Sequence, residues 1–258
     1  MKRIFFVIFF SLILAVQNTQ SSFAQIEKEI TVSAAISLKE AFEEIGTTFK
    51  ESHSEVRLLF NFGASGDLAR QIEAGAPVDV FASAAQKDMD DIDKRGLILP
   101  TTRTNFAGNG VVLVKPSQSS IRIESFEDLR NAEVKRIVIG NPKTVPAGRY
   151  AAEVLKSLHL WDGIMDKLVL AENVRQVLDY VARNEVDAGM VYTTDAMIRP
   201  KEVEIVMKAP QGSHQPVVYP IGVVKGTKKE FLARDFIAFV VSRDGQDILK
   251  KYGFETLR

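Results

Sequence analysis

Short runs of β-branched and aromatic residues alternate with longer stretches whose apolar residues recur at three- and four-residue steps, and few folds accommodate that alternation. Glu29 to Val32, Val56 to Phe60, Val78 to Phe81, Val111 to Val114, Arg136 to Ile139 and Val186 to Val191 read as strands. Within residues 37–50, Leu38, Ala41, Phe42, Ile45 and Phe49 form the stripe of a helix buried on one side, and Val177, Leu178 and Val181 repeat it within 175–183. Residues 229–252 carry Phe231, Leu232, Phe236, Phe239, Val240, Ile248 and Leu249 at helical spacing and read as packed helices. Strand and helix in alternation predict an α/β fold with mostly parallel sheets. Such sheets receive ligands in the crevice beyond the carboxyl ends of their strands, so the turns that follow the strands are the places to search.

Composition narrows the partners. The 258 residues hold 33 Lys plus Arg against 33 Asp plus Glu, and no cysteine. Thiolate chemistry and cysteine-ligated metals are excluded, and a zero formal charge offers no broad electrostatic footprint for nucleic acid or anionic lipid. The first residues read as an export signal: Lys2 and Arg3, the apolar run Ile4 to Val16 broken by Ser11, then Ser22-Phe23-Ala24. Cleavage is expected after Ala24, giving a signal peptide over residues 1–24. The alternative, a membrane anchor, needs roughly 20 apolar residues and the run is shorter. Without a cysteine to acylate, the exported chain is expected free in the periplasm. It would carry 31 basic and 33 acidic residues.

An enzyme needs a nucleophile with its base, paired carboxylates or metal ligands. His53, His159 and His214 lie far apart among polar neighbours and read as surface residues, and no phosphate-binding or hydrolase glycine motif occurs. Asp88, Asp90, Asp91 and Asp93 have a calcium-loop flavour but lack its glycine and closing glutamate, and read as a solvated helix face. The strand-to-helix junctions are more informative. Ser37 stands where an N-cap belongs, with Glu40 completing a capping box; Ser65-Gly66, Pro146-Ala147-Gly148 and Asn173-Val174 open three further helices. Each presents unpaired N–H groups and partial positive charge. Converging, they would hold an anion with no lysine or arginine; taken singly, each is an ordinary cap.

Several long segments, in order, carry a family resemblance: ITVSAAISLKEAF at 30–42, NFGASGDLARQIEAGAPVDVFASA at 61–84, GNPKTVPAGRYAAEVL at 140–155, ENVRQVLDYVARNEVDAGMVYTTDA at 172–196, YPIGVV at 219–224 and KKYGF at 250–254. From Ile30 to Phe254 the chain resembles the periplasmic molybdate-binding proteins of bacterial molybdate ABC transporters. The resemblance implies a two-lobed periplasmic binding protein fold of type II, each lobe a mostly parallel sheet flanked by helices, closing on an oxyanion in the cleft. Lobe 1 is expected to comprise 25–105 and 222–258, and lobe 2 to comprise 106–221, with the hinge near 106–110 and 219–224.

The family's ligand serines fall on Ser37 and Ser65, its backbone donors on Ala84, Ala147 and Val174, and its tyrosine hydroxyl on Tyr192. Molybdenum would be held only as the oxyanion, with no direct metal coordination and no cofactor. The residue after Gly66 is Asp67, where the family often has a hydroxyl. A donor-only site suits an acceptor-only dianion such as molybdate or tungstate, whereas a protonated phosphate also needs a protein acceptor. The implied function is binding without catalysis: a monomeric receptor that passes molybdate or tungstate to a membrane permease and takes no nucleic acid. A receptor for sulfate or another tetrahedral oxyanion is the alternative within that class, to be separated by cavity size. An exported α/β hydrolase using Tyr192 or the Asp88 to Asp93 cluster is the alternative outside it.

Overall fold

The computed structural model describes residues 28–256; the expected signal peptide, residues 1–24, lies outside the described residues. The chain begins with β1 (Lys28–Ala35), α1 (Lys39–Ser52), β2 (Val56–Gly63), α2 (Ser65–Glu73), β3 (Val80–Ala82), α3 (Gln86–Lys94) and β4 (Thr104–Asn109). It continues through β5 (Val111–Pro116), β6 (Ile137–Gly140), α4 (Pro146–Ser157), α5 (Trp161–Ile164), β7 (Leu168–Ala171), α6 (Val174–Ala182), β8 (Ala188–Tyr192), α7 (Thr193–Ile198) and β9 (Val203–Lys208). It then returns as β10 (Val217–Val223) and ends in α8 (Glu230–Val241) and α9 (Arg243–Lys251).

Two five-stranded sheets result, ordered β2-β1-β3-β10-β4 and β7-β6-β8-β5-β9. They share one plan. In the first, β1 runs parallel to β2 and β3 while β10 opposes both β3 and β4. In the second, β6 runs parallel to β7 and β8 while β5 opposes both β8 and β9. Each sheet therefore has a single reversed strand in fourth place, and the remaining strands point one way, as the alternation of strand and helix predicts.

The apolar stripes are what seat the helices. Ile30, Val32 and Ala34 on β1 are buried, and so are Ala41, Phe42, Ile45 and Phe49 on the facing side of α1. Phe42 and Phe49 meet the ring of Phe236 on α8 edge-on at 6.0 and 5.6 Å. Each such phenylalanine contributes about 1.5–3 kcal/mol of burial, so this cluster fixes α1 and the turn before it. No helix among the described residues is long and apolar enough to cross a membrane.

The sheets divide the chain differently from the expected boundaries at 105/106 and 221/222. β4 and β10 pair antiparallel from Thr104↔Ile221 to Asn109↔Val217. That ladder keeps 106–109 and 217–221 in the first sheet, so the chain crosses at Gly110 and comes back through residues 209–216.

Candidate functional site

Six strand ends converge on one small cavity. β1, β2 and β3 lead into Ser37, Ser65 and Ala84; β6, β7 and β8 lead into Ala147, Val174 and Tyr192. All six residues singled out from the sequence line the same tight space, together with Ala35, Ile36, Gly63, Ala64, Val145 and Pro146. No charged side chain lines it. The parallel strands of each sheet thus aim their carboxyl ends at the crevice, the position the fold class assigns to ligands.

The local chemistry differs from plain capping. Ser37 lies in a 3-10 turn, Ile36–Leu38, and makes no cap to α1, whose N-cap position is Leu38. The expected capping box is absent because Glu40 is drawn to Arg175 on α6 and because the Ser37 hydroxyl instead lies 3.0 Å from the Tyr219 hydroxyl. Ser65 opens α2 directly, with Ala64 as N-cap residue. Its Oγ accepts the Ala84 N–H at 3.0 Å, which leaves the hydroxyl proton available to another acceptor. On the opposite side, Pro146 takes the first position of α4 and Asn173 caps α6 by accepting from the Gln176 N–H at 2.9 Å. The N–H groups of Ala147 and Val174, next to those caps, donate to no backbone carbonyl among the described residues.

Tyr192 and Tyr219 are both fully buried, their rings 5.9 Å apart. Burial raises both phenols well above their ordinary range, so each keeps its proton. Tyr192 donates to the Ala84 carbonyl at 3.3 Å. The Tyr219 hydroxyl also lies 3.2 Å from the Asn109 amide nitrogen, which donates to it. Neither Tyr219 nor Asn109 emerges from the sequence as a site residue. Tyr219 stands 182 positions from Ser37, and only its place in YPIGVV hints at a role.

Two ion pairs bridge the sheets beside the cavity. Arg175, the residue after Val174, binds the Glu40 carboxylate through Nη1 and Nη2 at 2.5 and 2.9 Å. Burial works to raise the Glu40 carboxyl, and the Arg175 bonds and charge outweigh it, holding that group below its usual range. Arg175 Nε also lies 3.6 Å from Asp195, a fully buried carboxylate on α7. Neither Asp195 oxygen meets a hydrogen-bond partner, and burial pushes its carboxyl up to about 7 despite Arg175. The second bridge joins Arg149 on α4 to Asp88 on α3. Asp88 is buried, which corrects its reading as part of a solvated helix face: the sheet-to-sheet contact covers it. Asp90 and Asp93 pair with Arg103, and Asp91 pairs with Lys87. Among the described residues no acidic or histidine cluster is arranged to hold a metal ion. Asp67, near the start of α2, turns outward to Arg70.

Comparison with known proteins places the chain. The family model for bacterial extracellular solute-binding proteins matches residues 30–255. The molybdate-binding protein ModA of Escherichia coli (strain K12) is 41% identical over 234 residues, 88% of this chain and 89% of that protein. ModA of Haemophilus influenzae is 36% identical over 236 residues, 90% of this chain and 92% of that protein. Among solved structures, the periplasmic molybdate-binding protein of Azotobacter vinelandii superposes with a TM-score of 0.80 at 23% identity, covering 89% of this chain and all of that one (100%). With the paired sheets, the interlobe cavity and a match spanning nearly all the described residues, the chain belongs to the bacterial extracellular solute-binding protein family.

Proposed function

We propose that this protein is a periplasmic receptor that closes on molybdate or tungstate and delivers it to the permease of an ABC transporter. The observation that carries the reading is the composition of the cavity: hydroxyls from Ser37, Ser65 and Tyr192, and main-chain N–H groups from Ala84, Ala147 and Val174, with no charged side chain lining it. Donors without charge suit a fully deprotonated oxyanion, which offers acceptors only. The N-termini of α2, α4 and α6 add favourable potential. In this reading Ala147 and Val174 bind through the main chain, and Ala84 binds through its amide, shared with the Ser65 hydroxyl that it polarises.

The cavity lining carries no nucleophile paired with a base, which supports binding without turnover. The lobes are proposed to meet at Gly110 and residues 209–216, where the chain passes between the sheets, and hinge closure there would bring the two sets of strand ends together. A signal peptide over residues 1–24 and a monomeric state complete the proposal.

Calorimetric titration with molybdate, tungstate, sulfate and phosphate tests it directly. Molybdate and tungstate are expected to bind with similar affinity, and sulfate and phosphate far more weakly. Tighter binding of sulfate would keep the anion site and change its ligand; heat from none of the four would remove the oxyanion reading altogether.

A further inference from the structure

The proton on the Ser37 hydroxyl has its direction set from the chain crossing, two residues away from any contact with the cavity. Asn109 ends β4 and is buried. Its Oδ1 accepts the Gly110 N–H at 2.9 Å. A backbone N–H can only donate, so this contact fixes which end of the amide is oxygen. The Nδ2 end then faces Thr194 Oγ1 at 2.9 Å and the Tyr219 hydroxyl oxygen at 3.2 Å. Nδ2 has two protons and both are used.

Tyr219 therefore receives a hydrogen bond from Asn109 and must place its own proton elsewhere. It is fully buried, and among the described residues the single acceptor within reach of that proton is Ser37 Oγ, 3.0 Å away. Ser37 Oγ consequently accepts from Tyr219, and its own proton is left for an acceptor other than Tyr219, which an anion in the cavity that it lines would supply.

We propose that Asn109 and Tyr219 are positioning residues that turn the Ser37 proton toward the cavity and thereby bias the site against oxyanions that carry a proton. The inference rests on the oxyanion reading above. A fully deprotonated dianion is served by Ser37 in this state. A hydrogen phosphate must find an acceptor for its own proton, and the chain running from Asn109 through Tyr219 to Ser37 meets it with the serine proton instead of a lone pair. The high affinity of burial for the protonated phenol keeps Tyr219 a donor over the accessible pH range. The same amide also bonds Thr194, which follows β8 in the second lobe, so the chain is anchored in both lobes.

Two variants separate this arrangement from a merely structural one. Tyr219→Phe removes the proton that Ser37 accepts and frees the serine to turn; molybdate affinity is expected to fall by about tenfold or more, and the ligand-free melting temperature to fall by about 2–4 °C as the buried Asn109 amide loses an acceptor. Asn109→Asp replaces the donor facing Tyr219 with an acceptor of nearly the same shape. The chain then runs backwards: Tyr219 donates to the new carboxylate, accepts from Ser37, and Ser37 Oγ presents an acceptor to the cavity. Affinity for molybdate should drop by about a hundredfold, while the ratio of phosphate to sulfate affinity, read by competition in mildly alkaline buffer, should rise by about tenfold or more. Sulfate is the internal control, since the added charge repels both anions but only hydrogen phosphate can use the new acceptor. A Tyr219→Phe isotherm that overlays the wild type overturns the proposal, as does an unchanged phosphate-to-sulfate ratio in Asn109→Asp. If Asn109→Asp does not fold, the Tyr219→Phe result decides. A wild-type protein that binds none of these anions fails the oxyanion reading itself, whereas wild-type binding matched by Tyr219→Phe fails only the donor chain.

Discussion

The two halves of the cavity are built on the same strand plan and furnish their donors by different means. From the first sheet come two serine hydroxyls, each already accepting a hydrogen bond from its own lobe: Ser37 beside Tyr219 and Ser65 under the Ala84 amide. From the second sheet come the amides of Ala147 and Val174 at the starts of α4 and α6, with Tyr192 as the one side-chain donor. One half depends on side-chain networks and the other on where the backbone is held. Truncating side chains should therefore injure the first half, and the second should yield only to changes that move its helices.

The largest effect is expected where backbone packs on backbone. A Cβ on Gly148, the third residue of α4, would stand 1.9 Å from the Gly140 carbonyl oxygen at the end of β6. Gly148→Ala should cost about 3 kcal/mol or more of stability, lowering the melting temperature by about 6–12 °C, and should weaken molybdate binding as the Ala147 amide shifts. A melt and isotherm matching wild type would show that α4 can slide without consequence.

Next comes Ser37→Ala, predicted to weaken molybdate binding by about 1–3 kcal/mol in a titration and to cost about 1–3 kcal/mol of stability, because it removes no capping bond but leaves the buried Tyr219 hydroxyl without its acceptor. Asp195 supports the second half through Arg175 and carries a pH signature. Its folded pKa of about 7 exceeds the ordinary 3.8, so the folded state prefers the protonated acid. Its stability contribution is full below the lower value and is lost as pH rises through the upper one. Asp195→Asn should melt above wild type in buffers alkaline of that range and approach it in acid; a gap independent of pH would sink this account.

Smaller still is Val174→Ala. The donor there is main chain, so affinity should change by less than about threefold, while the buried valine's loss costs about 1 kcal/mol or more in the melt. Asp67→Ser should leave affinity equal or slightly tighter, since the carboxylate already faces Arg70; a tenfold loss would assign it a direct role in the site.

Much of this architecture is legible in the residues, and the exceptions have physical causes. The runs at 111–114 and 137–139 read as strands because both faces are buried and the residues are apolar throughout, while 56–60 reads as one from its β-branched and aromatic residues although Arg57 is exposed. β4, with the sequence TNFAGN, escapes notice: its polar and glycine residues owe their extended state to pairing with β10, a partner more than a hundred residues away. Without that strand the sequence offers no sign of the ladder that keeps 104–109 and 217–221 in the first sheet. Ser37 read as a cap since serine before a helical stripe usually is one; its actual partner, Tyr219, has no local signature. Ala147 and Val174 were in reach only as members of helix-opening junctions, and Ala84 has no local signature at all, because a main-chain donor leaves no mark on residue type; the resemblance of long segments named all three. Asp88 looked solvated among four nearby aspartates until the second lobe, through Arg149, covered it.

The bridges Glu40 to Arg175 and Asp88 to Arg149 make no contact with the cavity, and that sets what they are able to do. Their contribution is the same whichever anion is enclosed, so they displace every ligand's dissociation constant by a common factor and leave the ratios untouched. Choice of ligand is left to the hydroxyls and amides. Both pairs are largely buried and resist screening by salt, so it is Glu40→Gln, which weakens one bridge, that should quicken release of all bound anions alike. A receptor wired in this way could be tuned for faster hand-over to its transporter without altering what it selects.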